Sequence, residues 1–288
     1  MSPKLVVTVI GAGGKMGTRV TDNLVNHPDT IELNFCENSP AGIQSIRDRG
    51  FDTVPAETAV PRSDIVVLAV PDSLIHKVSV GIVAMMQPGT CLIILDPAAA
   101  VARELALRDD CTFVVTHPCH PSYFLDQDTP EARQDYFGGI SGKQDIVMAK
   151  IQGCDEKFAQ ARTVSELMFA PVVNSYVMGI RDIAFLEPTM VEILGATTLY
   201  AMIETVKEAE RRGIPRAAAE SFLIGHLFSL SANFLGKIGG TVKVSDACLV
   251  AMDIGAKLVL REDWKRIWDD EILDKAIATM LHPEDPKI

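Results

Sequence analysis

The sequence predicts an α/β protein with an N-terminal domain built on a doubly wound parallel sheet and a C-terminal domain that is all helical. In the first 180 residues, short runs rich in β-branched residues alternate with helical stretches. Runs such as Leu5–Ile10 and Ile65–Val70 are apolar at nearly every position, which is typical of strands buried on both faces. Strands that alternate with helices predict a parallel sheet covered on both sides.

Seven strands are expected in the N-terminal domain, with a long loop before the last two. The candidate strands are Leu5–Ile10, Ile31–Cys36, Ile65–Val70, Cys91–Leu95, Thr112–Thr116, Ile146–Ile151 and Val172–Val177. The spacing of apolar residues predicts helices at Met16–Val25, Leu74–Met86 and Asp155–Phe169. Region 121–145 predicts a loop, and loops of that length are often functional.

Beyond about residue 180 the β-rich runs stop, and long helical stretches replace them. These stretches are 187–212, 215–236, 245–260 and 269–281, so the expected domains are 1–180 and 181–288. Between Met190 and Ile203, apolar side chains point in nearly every direction around the helix axis. Such a helix is buried on all sides, which a domain of about 100 residues achieves alone with difficulty. We therefore expect a homodimer that shares helices of this domain.

The composition excludes several classes of protein. Hydrophobic residues make up 48% of the chain and charged residues 23%, which suits a folded globular protein. A balance of 27 basic and 38 acidic residues, a net charge of −11, argues against nucleic acid and anionic membranes as partners.

No apolar run approaches the roughly 20 residues of a membrane helix. The start lacks a signal-peptide pattern, and six scattered cysteines predict reduced thiols, so a cytoplasmic location is expected.

A glycine-rich loop joins the first strand to the first helix. Its sequence GAGGKMG lets the backbone approach a pyrophosphate, and the helix N-terminus behind it supplies free N–H groups. The spacing departs from GxGxxG, because the third glycine comes one position late, and it also fits GxxGxxG. This position in the chain is typical of a Rossmann domain. The predicted cofactor-binding residues of the loop are Gly11, Gly13, Gly14, Lys15, Met16 and Gly17.

An acidic residue, Glu37, follows the second strand at the position expected for the adenosine ribose. A carboxylate there hydrogen-bonds the ribose hydroxyls and repels a 2′-phosphate. The following Asn38-Ser39-Pro40 offers no cation for that phosphate. We therefore expect NAD rather than NADP. The alternative is that Glu37 only caps the strand.

Two further turns are expected to line the cofactor cleft, because ligands bind beyond the carboxyl ends of the strands in such sheets. The first is Ala69-Val70-Pro71-Asp72, and the second is Asp96-Pro97-Ala98. His76, on the helix after the first turn, is a candidate for contact with the nicotinamide ribose. A role as an ordinary surface residue is the alternative for His76.

These features resemble the 6-phosphogluconate dehydrogenase-like superfamily, which includes β-hydroxyacid dehydrogenases, prephenate dehydrogenase, pyrroline-5-carboxylate reductase and ketol-acid reductoisomerase. The glycine loop, Glu37, the DIVVLAVP run at Asp64–Pro71 and the helical second half carry the resemblance. Within it, Glu204–Leu223 and Ser245–Gly255 are similar to the phosphogluconate dehydrogenase C-terminal-like proteins. The resemblance implies an NAD-dependent enzyme that oxidises a branched sugar acid and shifts its carbon skeleton to give a 3-oxo product.

The resemblance has departures. The lysine-centred motif of true 6-phosphogluconate dehydrogenases is not recognisable, nor is the serine-rich loop of pyrroline-5-carboxylate reductase. The glycine loop also resembles that of dihydrodipicolinate reductase, but the histidine-rich motif of that family is absent.

Two histidines are the candidates for the base that alcohol oxidation requires, because the ordinary pKa of histidine lies near neutrality. His117 and His120 lie in THPCHP, immediately after a strand. Prephenate dehydrogenase has a His-Pro at the corresponding strand end that touches the reacting hydroxyl, so the resemblance makes His117 the first candidate and His120 the second. Alternatively, both histidines hold the loop through backbone hydrogen bonds. A zinc site with Cys119 is a further alternative, although its spacing is unusual.

Acidic residues near the start of the second domain complete the expected catalytic set. Glu187 and Glu192 lie close to the domain boundary and are expected to face the cleft, although five residues separate them and they point apart on a regular helix. Glu204 and Glu208 share a helix face and suit a metal site like that of ketol-acid reductoisomerase. Pairing of Glu208 with the neighbouring arginines is the alternative, and no metal is predicted.

The acid group of a small-molecule substrate requires a cation. Arg181, Lys237 and Lys243 are candidates, and Asn233 is a further polar candidate for the cleft. Three functions remain open at this point: an oxidoreductase that rearranges a sugar acid, a plain dehydrogenase or imine reductase without rearrangement, and a non-catalytic NAD(H) sensor. The THPCHPSY segment favours an enzyme, because a sensor requires no base beside the nicotinamide.

Overall fold

The computed structural model describes residues 3–239 and 244–283 and divides them into two compact units. The first unit runs to Ala184 and also includes the chain from Asp274 onward, and the second is Phe185–Leu273. The domain boundary expected from the sequence lies near residue 180, with all of 181–288 in the second domain. In the structure, most of the last helix groups with the sheet instead.

A seven-stranded sheet forms the centre of the first unit. Its strands are β1 (Leu5–Ile10), β2 (Ile31–Cys36), β3 (Ile65–Leu68), β4 (Cys91–Ile94), β5 (Thr112–Pro118), β6 (Gln144–Gln152) and β7 (Val172–Val177). Their order in the sheet is β2-β1-β3-β4-β5-β6-β7. Each of the seven predicted strands is present, and β1 to β5 are parallel. After β2 the chain crosses back to place β3 on the other side of β1, which creates a topological switch point between β1 and β3, where such sheets bind ligands.

The prediction of a fully parallel sheet is wrong for the last two strands, which run opposite to the first five. Strand β6 is antiparallel to β5, with Pro118 opposite Ile146, and β7 is parallel to β6. The reason is the connection between β5 and β6, which contains only the five-residue helix Pro130–Gln134. A parallel pair requires a crossover that carries the chain back along the strand, and this loop reverses the chain at the same edge instead.

Eight α-helices and a short 3₁₀ helix at Val60–Arg62 accompany the sheet and its connections in the described residues before 185. The α-helices are α1 (Lys15–Leu24), α2 (Pro40–Asp48), α3 (Ala56–Ala59), α4 (Asp72–Met85), α5 (Ala98–Val101), α6 (Pro130–Gln134), α7 (Asp155–Met168) and α8 (Ile180–Ala184). The sequence analysis missed α2. Its start carries a recognisable signal, since Ser39 caps the helix by accepting a hydrogen bond from Gly42 N and proline occupies the first helical position.

Four α-helices follow, together with a 3₁₀ turn at Trp264–Trp268 and a wide helical segment at Phe185–Ala196. The α-helices are α9 (Thr197–Arg211), α10 (Arg216–Phe234), α11 (Asp246–Val259) and α12 (Asp270–Leu281). The segment Phe185–Ala196 has π-type winding and contains Pro188. The predicted helix 187–212 is therefore helical throughout but changes winding midway. No helix among the described residues is both long enough and apolar enough to cross a membrane.

The faces of α10 and α11 are almost entirely exposed in a single chain. Ala232 is the buried residue of α10, and α11 buries none of its residues. Apolar side chains on these helices are nevertheless numerous, and Leu258 is 80% exposed. The predicted all-round burial of the helix between Met190 and Ile203 does not occur within one chain, where Met190 is 42% and Ile203 44% exposed.

Gly81→Ala is expected to raise the free energy of unfolding by about 0.5–1 kcal/mol. Gly81 lies inside α4, and an added Cβ meets no atom within 4 Å, so the methyl group only reduces the freedom of the unfolded chain. Chemical denaturation measures the change. Gly50→Ala is the matched control, because its surroundings are equally open but its φ is +84°. We expect Gly50→Ala to destabilise, and equal effects of the two substitutions would contradict the backbone argument.

Candidate functional site

Close backbone contacts explain three of the four glycines in the loop between β1 and α1. A Cβ on Gly11, which has φ +80°, would lie 2.6 Å from the Ala69 carbonyl oxygen. A Cβ on Gly17 would lie 2.0 Å from the Gly11 carbonyl oxygen, and one on Gly13 would lie 2.2 Å from that of Gly42. The loop is therefore packed tightly against the end of β3 and the start of α2.

Gly14 differs from the other three, because a Cβ added there would make no close contact. Its nearest neighbour would be the Gly11 carbonyl oxygen at 3.4 Å, an ordinary van der Waals distance. It is the N-cap of α1, and no side chain among the described residues caps this helix. The N–H groups of Lys15 and Met16 follow in the first turn. An uncapped helix N-terminus behind an open glycine fits an anionic pyrophosphate. The packing of Gly17 against Gly11 favours the GxxGxxG pattern, in which Gly14 is the central glycine.

The carboxylate of Glu37 lies beside this loop at the end of β2. Its Oε2 accepts a hydrogen bond from Gly13 N at 3.1 Å, and its Oε1 accepts from Asn38 N and Ser39 N, each at 2.9 Å. Burial raises the pKa of Glu37, but hydrogen bonds from the Ser39, Gly13 and Asn38 N–H groups outweigh it, so the pKa is lowered overall. The group is an anion at neutral pH, next to the glycine loop, and it also caps the strand end.

The predicted cleft turns lie at the carboxyl ends of β3 and β4. Pro71 precedes the first turn of α4, and Pro97 precedes that of α5. Asp72 and Asp96 were both expected in these turns, but their interaction was not predicted. Burial, together with the charge of Asp96, raises the pKa of Asp72 to about 7, and Asp96 itself accepts a hydrogen bond from Ala98 N at 2.7 Å. Two carboxyl groups therefore share this edge of the sheet.

His117 lies at the end of β5 and has a defined tautomer. Its Nδ1 is 2.8 Å from the Leu95 carbonyl oxygen, which only accepts, so Nδ1 carries the proton and Nε2 carries a lone pair. Burial lowers the pKa of His117 to about 4, and the hydrogen bond to Leu95 opposes this only in part. The neutral ring is therefore the dominant form at neutral pH, as a general base requires.

His120 is held in the same way by a different element. Its Nδ1 is 2.9 Å from the Phe137 carbonyl oxygen, and its ring centroid lies 6.3 Å from that of His117, with the two ring planes at 89°. Burial lowers the pKa of His120 as well; the Phe137 carbonyl opposes this, and Arg19 and Lys15 lower it further. Among the described residues, the ligand atoms of His117, Cys119 and His120 do not form a group that could hold a metal ion, which does not support the zinc alternative.

A folded loop between β5 and β6 positions Phe137. The buried Asp135 carboxylate accepts hydrogen bonds from the backbone N–H groups of Ile140, Ser141 and Gly142 at 2.9–3.0 Å. Lys15 Nζ lies 3.7 Å from the centroid of the Phe137 ring, a cation–π contact. The loop is therefore tied to the first turn of α1 as well as to His120.

The remaining histidine candidate, His76, is placed elsewhere. Its ring lies 5.5 Å from that of His282, edge to face, and its Nδ1 is buried without a hydrogen-bond partner among the described residues. His282 in turn contacts Glu104 at 3.0 Å. The structure thus does not place His76 with the pair at the end of β5, and its contact with a cofactor stays a prediction.

The winding of the second unit changes the relation of Glu187 to Glu192. On a regular helix, residues five apart point in different directions. In the π-type segment Phe185–Ala196 the hydrogen bonds run between residues five apart, so the separation expected on a regular helix does not apply here. The catalytic role expected for Glu187 and Glu192 stays a prediction.

The other carboxylates and cations of the candidate set are mostly paired. Glu204 accepts from Lys207 at 2.6 Å, and Glu208 accepts from both Arg211 and Arg212 at 2.6 Å. These pairs on one exposed helix face favour the solvated-face interpretation over a metal site.

Among the proposed cations, Arg181 donates to Asp274 at 2.9 Å within the first unit. Lys237 follows the end of α10 and is exposed, Asn233 lies in the last turn of that helix, and Lys243 lies outside the described residues.

The fold and the loop together define a class: a Rossmann-type dinucleotide-binding protein with a helical C-terminal region. Residues 125–281 match the family model described as phosphogluconate dehydrogenase (decarboxylating) C-term. The chain belongs to this family.

Its relatives extend over the whole chain. A D-apionate oxidoisomerase of Blautia hydrogenotrophica is 66% identical over 285 residues, 99% of both chains. One from Cupriavidus necator is 39% identical over 272 residues, 94% of this chain and 97% of the relative.

A solved structure shares both fold and sequence. It is a semialdehyde dehydrogenase NAD-binding protein from Cupriavidus necator in complex with calcium and NAD, with a TM-score of 0.93 and 39% identity over 96% of this chain and 100% of that one. An NADH-preferring ketol-acid reductoisomerase from an uncultured archaeon has a TM-score of 0.67 at 15% identity, over 96% of this chain and 82% of that one, and shows the likeness of fold alone.

Proposed function

We propose that this protein catalyses the NAD-dependent oxidation and isomerisation of D-apionate in the cytoplasm. The observation that carries the proposal is the 66% identity with a D-apionate oxidoisomerase across 99% of both chains. The glycine loop, the ionised Glu37 and the neutral His117 supply the groups that such a reaction requires. All six cysteines are free, which supports the cytoplasmic location.

The residues of the first unit have distinct roles in this proposal. Gly14 and the N-terminus of α1 bind the pyrophosphate of NAD, and Glu37 binds the adenosine ribose hydroxyls and disfavours a 2′-phosphate. The turns containing Pro71 and Pro97 line the nicotinamide side of the cleft. When bound, NAD supplies the hydride acceptor for the oxidation.

His117 is the base of the oxidation step. D-apionate carries a secondary hydroxyl on the carbon next to its carboxylate, and oxidation there gives a 2-oxo acid. Nε2 of His117 accepts the hydroxyl proton as the hydride leaves the same carbon. Its position at the end of β5 supports this role, because catalytic groups of such folds lie at the carboxyl ends of the strands.

Product structure distinguishes this function from its alternatives. D-apionate is incubated with NAD and the purified protein, and ¹³C NMR identifies the product. A rearranged 3-oxo acid formed with one equivalent of NADH supports the proposal. An unrearranged 2-oxo acid would indicate a plain dehydrogenase. No product, with NAD binding intact, would exclude D-apionate as substrate and favour another hydroxy acid or a sensor.

A homodimer through the second unit completes the proposal, with this unit as the substrate and dimerisation domain. The exposed apolar side chains of α10 and α11 support it, since patches of this kind mark interfaces. Phe222 is 69% exposed, Val250 62% and Leu258 80%. A second copy of the chain would bury these side chains and so remove from water the apolar surface that a single chain exposes.

Leu258→Glu is expected to convert the dimer to a monomer, because it places a charge at an apolar interface. Sedimentation equilibrium at micromolar concentration measures the mass, which is 31.3 kDa for one chain. Lys257→Glu, on the neighbouring position of the same helix, is the control and is expected to remain a dimer. A wild-type protein with the mass of one chain would contradict the dimer.

A further inference from the structure

We propose that His120 is a second catalytic base, which serves the isomerisation, while His117 serves the oxidation. The inference rests on the proposed function, because a second base has a role only in a reaction that removes protons from two hydroxyl groups in succession. The two histidines lie close together, but each is anchored by its own element. This arrangement differs from one catalytic histidine with a supporting neighbour.

Both rings present the same chemistry. In each ring, a backbone carbonyl oxygen accepts the proton of Nδ1. The Leu95 carbonyl oxygen lies 2.8 Å from Nδ1 of His117, and the Phe137 carbonyl oxygen lies 2.9 Å from Nδ1 of His120. Each Nε2 therefore carries a lone pair and accepts a proton. If His120 only oriented His117, a hydrogen bond between the rings would be expected, whereas their centroids are 6.3 Å apart and their planes perpendicular.

The environment of His120 keeps this ring both neutral and accessible. The ring is partly exposed, and Nε2 makes no hydrogen bond with the residues that the structure describes. The cations Lys15 and Arg19 on α1 disfavour protonation of His120. They also give the surroundings a positive potential, which suits an anionic substrate and an alkoxide that forms during the reaction.

The backbone conformation at His120 indicates that the fold holds this residue in a defined position. Its φ is +62°, a left-handed conformation that costs free energy for a residue with a side chain. The Phe137 carbonyl that holds the ring belongs to the loop that Asp135 fixes through three backbone N–H groups. An added Cβ on the next residue, Gly138, would lie 2.7 Å from the Gln144 side chain, so this loop has little freedom to move.

The isomerisation that His120 would serve is balanced in atoms and electrons. After oxidation, the carbon next to the new carbonyl still carries a hydroxyl. Nε2 of His120 takes this proton, the C–O bond becomes a carbonyl, and one hydroxymethyl group moves with its bonding electron pair to the former carbonyl carbon. The oxygen on that carbon becomes an alkoxide and takes the proton back from His120. No oxidant or reductant is consumed.

His120→Asn tests the proposal, because asparagine tolerates a positive φ and lacks a basic nitrogen. In a rapid-quench single turnover with D-apionate and NAD, NADH and the rearranged product are measured separately. We expect NADH to form within about threefold of the wild-type rate, whereas rearranged product falls by about 10²–10⁴-fold, the usual contribution of a general base. The unrearranged 2-oxo acid is then trapped with semicarbazide. His27→Asn, at a histidine outside this cluster, is the control.

A second measurement keeps the proposal testable if His120→Asn fails to fold. The unrearranged 2-oxo acid is supplied directly to His117→Asn, which we expect to isomerise it at close to the wild-type rate. Loss of this isomerisation in His117→Asn would overturn the division of roles. Equal loss of NADH and rearranged product in His120→Asn, or full isomerisation by that variant, would overturn it as well. Failure of the wild-type protein to reduce NAD with D-apionate would instead refute the proposed function.

Discussion

His117→Asn is expected to lower the rate of NADH formation from D-apionate by about 10²–10⁴-fold, because it removes the base for the hydroxyl proton. Asparagine retains a donor for the Leu95 carbonyl, so the end of β5 is expected to keep its structure. Initial rates of NADH absorbance measure the effect. NAD affinity, measured by calorimetry, is expected to change little, since the glycine loop and Glu37 remain intact.

The pH profile of the wild-type protein supplies the complementary observation. A base is active when neutral, and burial lowers the pKa of His117 to about 4. The kcat/KM for oxidation is therefore expected to hold between pH 7 and about 5 and to fall as the pH approaches 4, whereas an ordinary histidine, with a pKa of about 6.5, would lose activity below that value. Full turnover by His117→Asn at any pH would contradict the assignment.

Gly17→Ala is expected to abolish NAD binding and to lower the free energy of unfolding by about 1–3 kcal/mol, the usual effect of overpacking. The added Cβ would lie 2.0 Å from the Gly11 carbonyl oxygen and 2.7 Å from Ala12 Cα. These are backbone atoms, so relief requires movement of α1 away from β1, which distorts the phosphate loop. Calorimetric titration with NAD and chemical denaturation measure the two effects.

Gly14→Ala is the matched control, because it adds the same methyl group in the same loop. Its nearest contact is 3.4 Å, so stability is expected to stay near the wild-type value. NAD affinity is nevertheless expected to fall, since the proposed pyrophosphate passes over this residue. Wild-type stability and NAD affinity in Gly17→Ala would contradict the tight-packing account of the loop.

Local sequence patterns predicted most of the sheet, because each strand is recognisable on its own. The apolar runs at Leu5–Ile10 and Ile31–Cys36 coincide with β1 and β2. The direction of each strand in the sheet was not predictable from these local patterns. The reversal at β6 depends on the path of the loop after Pro118, which no single run of residues encodes.

The candidate site was predicted in part for a similar reason. The glycine loop and the two histidines carry recognisable residue types at strand ends. Asp72 and Asp96 were expected at strand ends, but their interaction and the position of the Phe137 loop depend on contacts between distant segments, which spacing does not reveal. The relation of Glu187 to Glu192 depends on helix winding, which the spacing of residues does not reveal.

The central claim is that hydride passes from the secondary alcohol of D-apionate to NAD in this protein. D-apionate with deuterium on the carbon next to its carboxylate, mixed with the wild-type protein and NAD, tests this most directly, with mass spectrometry of the NADH formed. Direct hydride transfer predicts one deuterium in each NADH molecule, together with a rearranged 3-oxo product. Unlabelled NADH, or none, would contradict it.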